Sequence, residues 1–157
     1  SPIRVTVPDE GRYGFRAVVG RGTGSASESP RSGEAADVWI GVDVTKPAAR
    51  IVSATLGTGD RAGHLVICWE ATDEKLAARS VLLQFGGTPR GPWSTIASGL
   101  DNTGSHEWPL DGQPAGRVYL RLEVRDRAGN IGSFQTPEPV LLSPAVRIRN
   151  VRPLANY

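Results

Sequence analysis

Apolar and polar residues alternate with a period of two through most of this chain, and no other feature restricts its fold as strongly. Val118, Leu120, Leu122 and Val124 alternate with Tyr119, Arg121, Glu123 and Arg125. Leu65, Ile67 and Trp69 alternate with Val66, Cys68 and Glu70, and Tyr13, Phe15, Ala17 and Val19 with Gly14, Arg16 and Val18. Residues two apart on a strand share a face, so each run reads as a half-buried strand. Leu65, Ile67 and Trp69 are expected to meet the Val118–Val124 series from the opposite sheet, with Cys68 turned outward. Further strands are expected over residues 3–7, 38–44, 50–56, 80–85, 94–98, 105–110 and 138–142. Turn-rich clusters separate them at 58–63, 86–92, 101–104 and 111–116. With 19 Gly and 12 Pro in 157 residues, a helical bundle is excluded, while 39% apolar residues suffice for a core. Residues 73–79 alone have helical propensity and, at one or two turns, are expected to form at most a short helical loop. The fold class read from this pattern is all-β, with antiparallel sheets.

The chain also repeats itself. A shift of 105 residues lays Gly11 and Arg12 on Gly116 and Arg117, Phe15 on Leu120, Arg16 on Arg121, Val19 on Val124 and Gly24 on Gly129. Lys46, Pro47, Arg50 and Ile51 fall on Ser143, Pro144, Arg147 and Ile148 at a shift of 97. A period near 100 residues is the size of one two-sheet sandwich. Residues 1–45 then read as the last three strands of a partial module, 46–145 as a complete seven-strand module, and 146–157 as a linker or C-terminal extension. Three strands cannot enclose a two-layer core. The first 45 residues are therefore expected to be completed by a protein partner or by the remainder of the parent chain, or else to pack on the second module. A start at Ser1 with no Met anywhere fits a processed form or a fragment of a longer polypeptide.

Several motifs resemble the fibronectin type III family. Leu65, Ile67 and Trp69 fit the apolar-x-apolar-x-Trp second strand of that family. Val81, Leu83 and Phe85 fit its third strand, and Gly91, Pro92 and Trp93 its turn into the next. Leu110, Pro114 and Gly116 fit the approach to the sixth strand, and Val118 to Asn130 that strand and its exit turn. The tyrosine usual at the corner before the sixth strand matches Tyr13 in the first copy, whereas the second copy has Val118 there and Tyr119 one residue on. The resemblance implies an antiparallel β-sandwich of fibronectin type III-like, immunoglobulin-like type, one complete module preceded by a partial one. Pro8 to Arg16 and Asp37 to Pro47 resemble repeat modules of large planctomycete-type bacterial envelope proteins. That implies an extracellular, cell-surface or periplasmic location and a non-catalytic structural or interaction role as spacer, scaffold or protein-protein contact.

Little chemistry is written into the residues. Of 18 basic residues 16 are Arg, but acids are interspersed and the net charge is only +2, so no nucleic-acid partner is expected. Arg147, Arg149 and Arg152 form the one local basic excess. No run approaches 18 apolar residues, so no membrane insertion by a helix is expected. Cys68 has no second Cys to pair with, and His64 and His106 lack ligand spacing. Asp126 and Asn130 offer too few oxygens for Ca²⁺. Gly20 to Gly24 leads into no helix and is no phosphate cradle. Asp73 and Glu74 are neighbours that point apart. No catalytic residue, cofactor or metal is therefore expected. The candidate contacts for a protein partner or a glycan are Trp39, Trp93, Trp108 and Tyr119. A carbohydrate-binding accessory module is the alternative, since exposed Trp rings stack on sugars. Trp39, on the incomplete module, is the foremost candidate for a contact between chains or domains.

Overall fold

In a computed structural model the described residues are 4–17, 33–113 and 115–142. They are almost all strand or turn, with one 3₁₀ turn at Gly59–Arg61. The chain divides into two compact units, Ser1–Thr45 and Lys46–Tyr157.

The second unit is an antiparallel β-sandwich. Its strands are β3 (Ala48–Leu56), β4 (His64–Thr72), β5 (Leu76–Gly86), β6 (Ser94–Leu100), β7 (Ser105–Pro109), β8 (Gly116–Asp126), β9 (Ile131–Gln135) and β10 (Val140–Leu142). One sheet has the order β3-β4-β7. The other runs β6-β5-β8, with β9 and β10 both on the far edge of β8. The period-two pattern decides what lies between the sheets. Leu65, Ile67 and Trp69 of β4 are buried against Val81 and Leu83 of β5 and Val118, Leu120, Leu122 and Val124 of β8. Each such side chain contributes roughly 1.5–3 kcal/mol by leaving water. Cys68, facing away from that layer, is only half-buried. The indole N–H of Trp69 donates to Asn102 Oδ1 at 3.0 Å, so its polar atom is satisfied at the core's rim.

The far edge of β8 is served by two short strands in place of one. β10 pairs with Gly116 to Val118, and β9 with Arg121 to Arg125. Thr136 fills the gap. Its N–H donates to Leu120 O at 3.0 Å, and its hydroxyl accepts from Leu120 N–H at 3.1 Å. Pro137 and Pro139, which lack N–H donors, then keep the intervening chain from continuing the ladder.

Two expectations need correction in this unit. Residues 73–79 form no helix. Asp73 Oδ1 accepts from Lys75 N–H at 2.7 Å, and β5 begins at Leu76, which pairs with Asp126. The register slips between Leu76 and Val81, where Arg79 has φ of 51°. Its amide donates to Asp101 Oδ1 and its Nε to Gly99 O, which hold it in that left-handed conformation. Helix nucleation over two turns is too costly to compete with a sheet edge. The last strand, expected over 138–142, spans only Val140–Leu142, and the unexpected β9 before it gives the described residues of this unit eight strands where seven were expected.

The first unit contains two strands among its described residues, β1 (Gly11–Phe15) and β2 (Val38–Val42). They pair antiparallel, with Tyr13 opposite Ile40 and Gly14 opposite Trp39. The expected strand over residues 3–7 is not one, since 4–7 have no strand pairing. Tyr13 closes the entry into β1. Its hydroxyl donates to Asp9 O at 2.7 Å and accepts from Asp9 N–H at 3.3 Å. The strand expected over 38–44 ends at Val42, while the loop from Gly20 to Gly24 and the tail with Arg147, Arg149 and Arg152 lie outside the described residues.

Candidate functional site

The register of β1 on β2 gives the first unit two unlike faces. Arg12, Gly14, Trp39 and Gly41 share one. There the Arg12 guanidinium lies 4.7 Å from the centre of the Trp39 ring, and the ring covers Gly14, where a Cβ would approach it to 3.2 Å. Trp39 is 54% exposed. The opposite face is apolar. Phe15, Val38, Ile40 and Val42, with Val5 and Val7 from the preceding segment, line an open groove of about 620 Å³. Val5 and Val38 are each 55% exposed and Ile40 48%. Charges at its border are already engaged: Arg16 Nη1 pairs with Glu34 Oε2 at 2.9 Å, and the Asp37 carboxylate accepts from Ala17 N–H at 3.2 Å. Trp39 thus lies on the face capped by Arg12, while the apolar groove lies on the other side of the same two strands.

The other candidates lie in the second unit. Trp93 is half-buried and packs over Gly86 and Gly91, where a Cβ would come within 3.2 and 2.9 Å of the ring. Gly91 has φ of 81°, a conformation a side chain would strain. The Arg121 guanidinium sits 5.6 Å from the Trp93 ring and also pairs with Glu123. Tyr119, half-buried, is opposite Gly86 on the same outer face of the β6-β5-β8 sheet. Trp108 must be withdrawn as a surface contact. It is opposite Leu65 in the β4–β7 register, is 5% exposed, and tilts against Phe85 with ring centres 4.8 Å apart. The three rings that stacking on a flat glycan would use are thus distributed over a core and two separate units.

Two titratable groups are shifted by their surroundings. The Asp126 carboxylate is almost wholly buried and accepts from the N–H groups of Gly129 (2.6 Å) and Asn130 (2.8 Å) and from Asn130 Nδ2 (2.7 Å). Burial pushes this carboxyl up, but those hydrogen bonds outweigh it, and its pKa lies below the ordinary value. His106 is opposite Ile67, and burial lowers its pKa against the opposing pull of Glu107. Among the described residues no three of His, Cys, Asp and Glu converge as a metal site would require.

No family model, curated protein or solved structure matches the chain. The functional reading therefore rests on its own faces and edges.

Proposed function

We propose that the chain is a non-catalytic structural and interaction segment of a multi-domain bacterial envelope or extracellular protein, built from fibronectin type III-like modules in series. Its mechanism is geometric: rigid sandwiches hold neighbouring parts at fixed spacing and present sheet faces to them. The two facing antiparallel sheets of the second unit, three strands in one and five in the other with β9 and β10 sharing one edge of β8, support a sandwich module. So does Trp69, held between the sheets on the second strand of that unit.

The observation that carries the reading is the open apolar face of β1 and β2. A contiguous surface of this kind marks an interaction site. The engaged rim charges favour a neutral, apolar polypeptide over a charged or sugar ligand there. The test is a photoreactive residue at Ile40 in the natural polypeptide. Cross-linking to a polypeptide segment is expected. Cross-linking to glycan, or none at all, overturns the interaction reading.

A further inference from the structure

We infer that the groove of the first unit is closed by a five-stranded segment of the β3–β7 kind, lying ahead of β1 in the same polypeptide. One of its strands adds to the edge of β1 that β2 leaves open. This inference rests on the modular reading above and names what covers the groove.

The second unit supplies the template. There β8 has three sets of neighbours: β5 on one edge, β9 and β10 on the other, and the β3-β4-β7 sheet across its apolar face. The 105-residue shift lays β1 on β8. Phe15 then corresponds to Leu120, which is wholly buried, whereas Phe15 is only half-buried and borders the groove. β2 corresponds to the strands on the far edge of β8: Tyr13 is opposite Ile40, as Val118 is opposite Val140. Among the described residues β1 hydrogen-bonds to β2 alone, and no described strand of the first unit is a counterpart of β5 or of the opposing sheet. The tyrosine corner adds a second, independent sign. A Tyr hydroxyl bonded to the backbone four residues upstream is the device that closes the turn into the sixth strand of a sandwich.

Strand order fixes the direction. In the second unit all five covering strands precede β8 in the chain. Chemistry fixes the character: an apolar inner face of alternating residues such as Leu65, Ile67 and Trp69, without charge, since the charges beside the groove already have partners. Strand addition supplies main-chain hydrogen bonds, and the side chains filling the groove supply selectivity.

The test grafts a second copy of residues 46–113 ahead of residue 4 in the full chain, through a flexible linker that gives a high effective concentration. Hydrogen exchange and binding of an apolar dye are then measured. The expected result is at least roughly tenfold slower exchange of the Arg12 to Phe15 amides and loss of dye binding, both abolished by Ile40→Asp in the same graft. The β8 amides serve as the control for folding and stay protected throughout. Unchanged exchange in β1 with β8 protected overturns the inference. So does a chain that, without the graft, is dimeric in sedimentation with its groove already closed, or a graft displaced by a small apolar ligand. Cross-linking at Ile40 to polypeptide alongside failure of the graft would leave the modular reading standing and remove only this occupant.

Discussion

The Tyr13 hydroxyl and the Asp9 backbone form a closed pair, donating to the carbonyl and accepting from the amide of the same residue. Tyr13 thereby pins the chain that enters β1 two residues before the strand begins at Gly11. In a unit with two described strands, such local ties carry a larger share of order than they would in a full sandwich.

Tyr13→Phe removes that tie and keeps the ring. The expected cost is about 1 kcal/mol of local stability, the net value of one intramolecular hydrogen bond. It is read as faster exchange of the Asp9 and β1 amides with the second unit unaffected. Equal acceleration in both units would count against a local role.

Thr136 is expected to matter more than its position in a Pro-flanked loop suggests. Thr136→Val leaves the buried Leu120 N–H without its acceptor and is expected to cost about 1–3 kcal/mol. Thr136→Ser keeps the hydroxyl and should recover most of that loss. Urea unfolding of the two variants separates the hydrogen bond from simple packing.

The tryptophans should divide sharply. Trp108→Ala opens a core cavity beside Phe85 and is expected to cost about 3–5 kcal/mol. Trp93→Ala, at a half-buried outer-face site, should cost clearly less. Thermal unfolding checks this directly, and any loss of binding on Trp108→Ala has to be compared with its loss of fold.

Acid should weaken the second unit in two stages. The His106 pKa is lowered in the folded state, so the neutral form is favoured there. That contribution is complete above the ordinary value of 6.5 and is lost as pH falls from there through the lowered folded value. The Asp126 pKa is also lowered, so its contribution is complete above 3.8 and disappears as pH falls through the lower folded value. His106→Gln should flatten only the upper stage, and Asp126→Asn only the lower, in denaturation midpoints measured from pH 8 to pH 2.

Alternation made the sandwich core legible because Leu65, Ile67, Trp69 and the Val118–Val124 series announce their inward faces by side chain alone. It signals β9 poorly, because of that strand's two positions opposite the inward residues Leu122 and Val124 only Phe134 is apolar and the other is Gly132. A glycine carries no hydrophobic signal, yet here only a glycine fits, because a Cβ would run into the Pro47 carbonyl. Trp108 misled for a related reason. Its neighbours Glu107 and Pro109 are exposed, and only pairing with Leu65 reveals that its ring turns inward. In the first unit the aromatic size of Trp39 is legible in the sequence, whereas the apolar groove is not. The uncovered face became visible only once Tyr13 was seen opposite Ile40 and Gly14 opposite Trp39.

The split edge formed by β9, Thr136 and β10 has a consequence for a protein made of similar units on one string. Neighbours with like sequences meet at high local concentration, where an uninterrupted strand edge would template wrong pairing and, from there, aggregation. Pro137 and Pro139 deny such an intruder the row of donors it would need. In a protein built of such modules in series, as proposed above, the small loss of regular ladder along β8 would guard each unit's strands against pairing with a neighbour's.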